Sequence, residues 1–542
     1  MTTAVTDLTR PDVHLHIGAE RLAAGSAGTF DHVNPVTGKV DKAIPMAGPA
    51  EVDRAVAAAA EAFESWRRTA PAERARLLNR LADLIEANAE EFGRLGVMDN
   101  GTALGTATNL VGKSIAWTRY YAGWADKITA EVTSTLTADG EFGYTLRQPY
   151  GVVGIIITWN GPLISLAMKI PPAVAAGNTV VVKPSELTPF SGELFAALVV
   201  EAGFPPGVIN ILPGDAASGA ALVEHPQVKK VSFTGGPATA SKILAACAPT
   251  MKPAVLELGG KSANIVFEDA DLEAACGFGT VMSVGAMSGQ GCAFPTRMLV
   301  QESIYEQVVA TVKAIAEQIV VGDPFAEGTF AGPVVNQAAF ERIQGVIAKA
   351  KEDGARLVTG GEPAGLGGEL AGGFFLQPTV FADVDPQSDL AQNEVFGPVL
   401  SIIPFRDEAH AIEIANSTRY GLSGYVHTKD LKRGLRVAEE LVTGEVLING
   451  ASNLPVNRPF GGSDSAASGR KAARRASRSS SSPRVSGSPD PSASSPAQIR
   501  AGLVRQCPSK ERMGEKILLD ESCGDRVYRI ASTRRMFEAD RG

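Results

Sequence analysis

The chain has 542 residues, which is too long for a single hydrophobic core, so two or three domains are expected. It is 44% hydrophobic and 20% charged, the composition of a soluble globular protein, and no apolar run reaches the roughly 18 residues of a membrane span. The net charge of −8 is uneven, because residues 463–542 carry 16 Lys and Arg against 9 Asp and Glu. Residues 1–462 therefore carry −15, and such an acidic body argues against nucleic-acid binding.

The five cysteines are odd in number and show no paired spacing, which favours a reducing compartment. The N-terminal residues lack the basic and then apolar pattern of a secretion signal, so a cytoplasmic location is expected. The six histidines form no metal-ligand pattern with the cysteines, and no metal site is predicted.

The first 130 residues predict packing elements without chemistry. Residues 30–40 indicate a strand, a turn and a second strand. Apolar residues at three- and four-residue spacing predict a helix over 52–66, and a second helix begins near Pro71. Residues 131–148 then alternate around Asp139-Gly140, which predicts a β-hairpin.

Continuous apolar runs at 151–157 and 179–182 are typical of parallel strands covered on both faces, and strands predicted at 208–212 and 230–233 continue the series. Helical segments, one of them over 165–176, separate these strands, so a doubly wound α/β domain is predicted, with ligands beyond the carboxyl ends of its strands. After Cys292 the alternation resumes with a strand near 298–301 and a helix over 305–319. A second α/β domain is therefore expected.

A carboxylate and a thiol lie in two glycine-dense motifs. Glu257 belongs to Leu-Glu-Leu-Gly-Gly-Lys at 256–261, and Cys292 ends Gly-Gln-Gly-Cys at 289–292. A thiolate and a proton-accepting carboxylate are sufficient for covalent acyl chemistry. A buried inert thiol and a surface glutamate are the alternative for each residue taken singly. Cys247 and Cys276 lie outside such a motif and are interpreted as core thiols.

Both motifs resemble the glutamate and cysteine signatures of the NAD(P)-dependent aldehyde dehydrogenase superfamily, and the resemblance covers roughly residues 20–463. It implies an NAD-binding domain at 1–130 and 149–258, a catalytic domain at 259–462 and an oligomerisation hairpin at 131–148. A small-molecule aldehyde as substrate and a homo-oligomer, either dimer or tetramer, are also implied. The resemblance also implies a non-acylating enzyme, in which water hydrolyses the acyl group. Branches of the family that transfer the acyl group to coenzyme A generally lack a carboxylate at the position of Glu257.

The resemblance assigns catalytic roles. Cys292 attacks the aldehyde to give a thiohemiacetal, whose oxyanion meets the amide of Asn160 and the backbone N–H of Cys292. Hydride transfer to the nicotinamide leaves a thioester, and Glu257 activates water to hydrolyse it. Lys169 matches a lysine that helps to orient Asn160 and the base.

The dinucleotide fingerprint G-x-G-x-x-G is absent. A turn containing Gly235 and Gly236 can instead place backbone N–H groups on a pyrophosphate, or it is a plain strand–helix turn. Lys183 and Glu186 follow a buried strand where an adenosine ribose would lie, with a surface ion pair as the alternative. A 2′-phosphate ~4 Å from Glu186 would cost a few kcal/mol, which favours NAD. The resemblance adds four further cofactor contacts, namely Thr158, Trp159, Glu394 and Phe396.

Two departures from the family pattern bear on the substrate. Gly161 replaces a bulky residue after Asn160, and Met287 stands where an asparagine is common. Loss of a large side chain opens volume, so bulky or apolar aldehydes are expected, with Phe460 as another wall.

The tail at 463–542 departs from the family, and its Ser-, Arg- and Pro-rich composition predicts disorder. Codons for residues 476–483 can, two bases along, encode Ile-Glu-Glu-Phe-Leu-Glu-Pro, much like a family C-terminus, so a frameshift near 463–475 is inferred. A basic tail that binds an acidic partner is the rival interpretation. As written, the tail is expected to lack the strand that pairs with the hairpin.

The sequence thus predicts an NAD-dependent aldehyde dehydrogenase with a doubly wound cofactor domain, an α/β catalytic domain and a hairpin arm. A non-enzymatic or misassembled relative is the alternative, and cofactor-free ester hydrolysis by the same cysteine is a third option.

Overall fold

The computed structural model describes residues 9–132, 141–450, 454–464, 467–468, 481–489 and 527–530. The expected turn at Asp139-Gly140 lies outside the described residues, as does most of the tail. No helix within these ranges is long and apolar enough to cross a membrane.

The strands of the first half follow the apolar runs, and every residue of Val152–Ile156 is buried. This is the pattern expected for a parallel strand that is covered on both faces. The strands are β1 (Leu15–Ile17), β2 (Glu20–Leu22), β3 (Thr29–Asn34), β4 (Lys39–Pro45), β5 (Glu131–Val132), β6 (Glu141–Pro149), β7 (Val152–Ile156), β8 (Thr179–Lys183), β9 (Ile209–Ile211), β10 (Val228–Thr234) and β11 (Ala254–Glu257).

Several helices of this half begin at a proline, which has no N–H to lose in a first turn. One of them starts at Pro162, three residues before the start expected from the sequence. The helices are α1 (Pro49–Trp66), α2 (Pro71–Ala87), α3 (Ala89–Asn100), α4 (Leu104–Ala122), α5 (Pro162–Ala175), α6 (Phe190–Glu201), α7 (Ala216–Glu224) and α8 (Pro237–Cys247).

The second half repeats the alternation of strands and helices. Its strands are β12 (Ala263–Val266), β13 (Arg297–Gln301), β14 (Arg356–Thr359), β15 (Thr379–Ala382), β16 (Val399–Phe405), β17 (Tyr420–Gly421), β18 (Ser423–His427) and β19 (Glu445–Ile448). Its helices are α9 (Leu272–Thr280), α10 (Tyr305–Glu317), α11 (Gln337–Glu352), α12 (Asp389–Gln392), α13 (Glu408–Asn416) and α14 (Leu431–Glu440).

Short strands of the tail complete the described elements. They are β20 (Ser463–Asp464), β21 (Ala467–Ser468), β22 (Ser481–Pro489) and β23 (Val527–Ile530).

Two large sheets organise the molecule. The first sheet has the order β2-β1-β9-β8-β7-β10-β11-β21, and its central strands from β9 to β11 are parallel. The second sheet has the order β14-β15-β16-β13-β12-β18-β19-β23, and it is parallel from β15 to β23. Helices pack on both sheets. The fold is a doubly wound α/β fold with a second mainly parallel sheet that is also built from alternating strands and helices, as expected.

The strand expected to be missing opposite the hairpin is present in the structure. Strand β22 pairs antiparallel with β6 from Ser481↔Pro149 to Pro489↔Glu141, in a small sheet of order β22-β6-β5. Main-chain groups make such a ladder, so a Ser-rich segment can form it, and its prolines are tolerated because β22 is an edge strand. Sequence composition alone therefore misjudged this segment of the tail.

Candidate active site

The loop that carries Cys292 follows a tight and strained path. Met287 and Ser288 have left-handed φ angles of 48° and 51°, which residues other than glycine rarely adopt. A Cβ atom added to Gly289 would lie 2.1 Å from the carbonyl oxygen of Gly397, so no other residue fits there. The Ser288 hydroxyl donates to the Gly332 carbonyl at 2.6 Å and fixes the turn. Cys292 itself is half-buried at the start of the path to β13.

Asn160 comes from the loop after β7 and reaches the loop that carries Cys292. Its amide nitrogen donates to the Gln290 carbonyl at 2.9 Å. The Gln290 side chain is itself fixed, because its amide oxygen accepts from the Val335 N–H at 3.0 Å and its nitrogen donates to the Met287 carbonyl at 3.0 Å. The amide nitrogen of Asn160 carries two N–H donors, so its bond to the Gln290 carbonyl leaves a second N–H that can bind another acceptor.

Glu257 and Lys169 belong to the first sheet and its helices. Glu257 is the last residue of β11, only 4% exposed, and its backbone carbonyl accepts from the Gly235 N–H at 3.0 Å. Lys169 on α5 is also buried, and its ammonium group donates to the hydroxyl of Ser232 on β10 at 2.9 Å. The expected effect of Lys169 on Asn160 stays a prediction.

The turn after Glu257 connects three of the predicted site residues. The Gly260 N–H donates to a carboxylate oxygen of Glu394 at 3.1 Å. A Cβ atom at Gly259 would lie 2.1 Å from Glu394 Oε2, and one at Gly260 would lie 2.1 Å from the carbonyl oxygen of Cys292. Close approach of two backbones therefore requires glycine at position 260, whereas a side chain at position 259 would displace the Glu394 carboxylate. The turn thus lies against both Glu394 and Cys292.

Burial dominates the electrostatics here. It raises the pKa of Glu394 to about 7, although the Gly260 N–H, Lys261 and Arg342 act in the opposite direction. Burial also lowers the pKa of Lys261, which is only 2% exposed, to about 7. Two groups near the turn thus titrate close to neutral pH.

Trp159 and Phe396 make a second contact between the two halves. Their rings pack edge to face with centroids 5.3 Å apart. Phe396 has a left-handed φ of 51°, and the Trp159 carbonyl accepts from the Asn100 side chain at 3.0 Å. Thr158 precedes Trp159 in the same half-buried loop. The carboxyl edge of the first sheet therefore meets the loops that precede β13 and β16.

Lys183 and Glu186 lie at the carboxyl end of β8. Their charged atoms are 3.6 Å apart, and the Lys183 ammonium group also donates to the carbonyls of Pro184 and Gly214. Burial lowers the pKa of Lys183, and the charge of Glu186 partly offsets this. The ion pair is thus observed, and the role of these two residues at an adenosine ribose stays a prediction.

Gly235 and Gly236 form the turn from β10 into α8. Gly236 is the N-cap of α8, and no side chain caps this end of the helix. A Cβ atom at Gly236 would meet nothing within 4 Å, and Gly236, Ala238 and Thr239 are exposed, so this end of α8 is accessible. Such an end suits an anionic phosphate, which fits the cofactor position expected from the sequence.

The other described thiols are poor nucleophiles. Cys247 and Cys276 are buried, and burial raises the pKa of Cys276 to about 12. Within the described residues no three His, Cys, Asp or Glu side chains are placed to hold a metal ion together.

Sequence reasoning missed two side chains at this loop. Gln290 belongs to the Gly-Gln-Gly-Cys motif, which predicts no role for its side chain, yet that side chain bonds the backbone of Met287 and Val335 and so holds the turn. Tyr425 on β18 donates to the carbonyl of Ala293 at 2.8 Å, next to Cys292. A tyrosine in a buried strand reads as core, so no local signal could have identified it.

Comparisons with known proteins identify the family of the chain. Residues 22–483 match the model of the aldehyde dehydrogenase family. The chain is 44% identical over 460 residues to an aldehyde dehydrogenase of Emericella nidulans, covering 84% of this chain and 91% of the relative. It is 42% identical over 453 residues to mouse (Mus musculus) cytosolic aldehyde dehydrogenase 1, covering 82% and 89%.

Solved structures give the same result. The NAD⁺ complex of a Bacillus cereus aldehyde dehydrogenase superposes with a TM-score of 0.84 at 37% identity, covering 88% of this chain and 97% of that one. The NAD⁺ complex of Staphylococcus aureus betaine aldehyde dehydrogenase gives a TM-score of 0.86 at 32% identity, covering 89% and 95%.

Proposed function

The chain belongs to the aldehyde dehydrogenase family, and we propose that Cys292, Glu257 and Asn160 carry out its NAD-dependent oxidation of an aldehyde to a carboxylic acid. One observation carries this proposal. The Asn160 amide of the first sheet bonds the carbonyl of Gln290, two residues before the candidate nucleophile. The comparisons do not favour the non-enzymatic alternative.

The residues of the site divide the reaction between them. The Cys292 thiolate adds to the aldehyde carbon, and the oxyanion of the thiohemiacetal takes hydrogen bonds from Asn160 and the Cys292 N–H. NAD⁺ supplies the hydride acceptor when it is bound. The oxidised substrate remains on Cys292 as a thioester, and Glu257 takes a proton from the water that hydrolyses it.

The residues around the carboxyl edge of the first sheet fit the cofactor. The open N-terminus of α8 at Gly235 and Gly236 would receive the pyrophosphate, and Lys183 and Glu186 would bind the adenosine ribose. Thr158, Trp159, Glu394 and Phe396 would border the nicotinamide ribose, since they meet where the two sheets approach each other.

NAD rather than NADP is proposed because Glu186 repels a 2′-phosphate. We expect Glu186→Ser to raise kcat/KM with NADP⁺ by roughly tenfold and to lower it with NAD⁺. Equal use of both cofactors by the unaltered enzyme would reject this preference.

Hydrolysis rather than transfer to coenzyme A is proposed from the buried carboxylate of Glu257. We expect coenzyme A to leave the rate unchanged, and Glu257→Gln to slow turnover by roughly a hundredfold while Cys292 still becomes acylated. Formation of an acyl-coenzyme A product would contradict the proposal.

The direct experiment compares two thiol variants. Cys292→Ala should abolish NADH formation, whereas Cys276→Ala should retain it, because that thiol is buried in the second half of the fold and its pKa is raised. Activity in Cys292→Ala, or equal losses in both variants, would reject the assignment.

Bulky or apolar aldehydes are the proposed substrates. Gly161 caps α5, and Trp117, Tyr121 and Ile164 form an apolar cluster with neighbouring residues of α4 and α5 beside it. Met287 and Phe460 would complete the walls. A series of short-chain, long-chain and aromatic aldehydes tests this, and a preference for acetaldehyde would reject it. A reducing, cytoplasmic location is also proposed, since the five cysteines are odd in number and show no paired spacing.

A further inference from the structure

The hydroxyl of Tyr425 bonds the backbone of the residue that follows the candidate nucleophile. It donates to the carbonyl oxygen of Ala293 at 2.8 Å, and the tyrosine is only 1% exposed. Its ring packs against that of Phe278 on α9, with centroids 5.1 Å apart. Strand β18 lies inside the second sheet, and its backbone is paired with β12 on one side and with β19 on the other.

The loop around Cys292 is thereby held from both sides. Asn160 bonds the Gln290 carbonyl on the side of the first sheet, and Tyr425 bonds the Ala293 carbonyl on the side of the second sheet. Gly260 packs directly against the carbonyl of Cys292 between these two points. The backbone of this loop is therefore contacted at three carbonyl groups, each by a residue from a different part of the fold, and one of the three carbonyls belongs to Cys292.

A buried ion pair lies behind Tyr425. Glu445 at the start of β19 pairs with Arg458, and both residues act electrostatically on Tyr425. The pair neutralises a carboxylate that would be costly to bury alone. Burial together with the charge of Glu445 raises the pKa of Tyr425, so its hydroxyl keeps the proton that it donates to Ala293.

We propose that Tyr425 is a positioning residue for the reaction, because its hydrogen bond to Ala293 sets the backbone on which Cys292 presents its thiol and its N–H. The inference rests on the proposed role of Cys292. Tyr425 touches neither substrate nor cofactor in this role. It acts through the peptide, and the oxyanion gains most from donors that are already in place before the reaction.

The test removes the hydroxyl alone. Tyr425→Phe keeps the ring and its packing, and Tyr305→Phe is the matched control, because the buried Tyr305 hydroxyl also donates to a carbonyl, that of Ile402, and accepts from the N–H of Asp383. Each variant is assayed for kcat, for KM for NAD⁺ and for the fraction of Cys292 that iodoacetamide alkylates.

We expect Tyr425→Phe to lower kcat about tenfold, because small displacements of reacting groups have large effects on rate. The KM for NAD⁺ should change by less than about twofold, and iodoacetamide should still alkylate one Cys292 per chain. Tyr305→Phe should keep kcat within about twofold. A loss that only follows the fraction of reactive thiol, or equal rates in both variants, would overturn the proposal.

The outcome is separable from that of the proposed function. If Cys292→Ala still forms NADH, the proposed nucleophile is wrong and the role of Tyr425 falls with it. If Cys292→Ala is inactive while Tyr425→Phe behaves like Tyr305→Phe, only the positioning role is rejected.

Discussion

Glu394 connects the cofactor to the catalytic turn at the scale of single residues. It accepts the Gly260 N–H, and the absence of a side chain at Gly259 lets its carboxylate approach the backbone. An ionised carboxylate can accept hydrogen bonds from two ribose hydroxyls, whereas the protonated form loses much of that capacity. The proposed ribose contact should therefore depend on the charge of Glu394.

This gives a pH dependence with a definite sign. Burial raises the pKa of Glu394 to about 7, so the acid form dominates below that pH and the carboxylate above it. We expect KM for NAD⁺ to fall roughly tenfold between pH 6 and pH 8. Glu394→Gln should remove this dependence, since the amide does not titrate. An unchanged KM across the range in the unaltered enzyme would contradict the role.

The site residues differ in how far the sequence could predict them. Glu257 and Cys292 lie in motifs whose glycines mark close backbone approach, and the structure shows that approach at Gly259 and Gly260. The bond from Asn160 to Gln290 joins residues 130 positions apart, and no spacing rule reports it. Tyr425 lies still further along the chain from Glu257, in a strand that looks like ordinary core.

At the scale of secondary-structure elements, buried hydrogen bonds between neighbouring helices contribute to the stability of the fold. Asp99 near the end of α3 accepts the N–H groups of Phe190 and Ser191 at 2.8 and 3.1 Å and the Ser191 hydroxyl at 2.6 Å. It thereby caps the start of α6 from a different helix. Removal of this carboxylate leaves three buried donors without their acceptor, which is costly away from water.

We expect Asp99→Ala to lower the free energy of unfolding by about 2–3 kcal/mol. Asp407→Ala is the control, because Asp407 caps α13 on the surface by accepting the His410 N–H, and its loss should cost about 1 kcal/mol. Urea denaturation of both variants measures the difference. A cost for Asp99→Ala no greater than that for Asp407→Ala would show that the buried cap does not stabilise the junction.

Elements were predictable where burial sets a simple pattern. Strands β7 and β8 of the first sheet follow continuous apolar runs, and α1 and α2 follow apolar stripes. The start of α5 was misjudged because Gly161 and Pro162, rather than the apolar periodicity, decide it. Strand β22 has no apolar pattern, and its place is set by main-chain pairing with β6.

At the scale of the whole molecule, the part of the tail that follows β21 covers two sheet edges. Strand β22 pairs with β6, and β23 pairs with β19 at the edge of the second sheet. An uncovered edge presents unpaired main-chain groups that can bind another chain. A homo-oligomer, dimer or tetramer, remains our proposal, and its assembly would depend on how these edges are used.

Removal of residues 469–542 should expose both edges. We expect a lower unfolding temperature and concentration-dependent aggregation, measured by thermal scanning and by light scattering after size exclusion. The control removes residues 531–542, which follow β23. A truncated protein that is monodisperse and equally stable would contradict this account of the tail. Sequencing the corresponding end of the gene tests the inferred frameshift near 463–475.

The central claim is that Cys292 carries the substrate as a thioester. The direct measurement is mass spectrometry of peptides after the enzyme is mixed with an aldehyde and NAD⁺ and quenched in acid. We predict one acyl group on the peptide that contains Cys292, absent without NAD⁺ and more abundant in Glu257→Gln. An unmodified Cys292, or an equal acyl mass on the peptide of Cys276, would contradict the account.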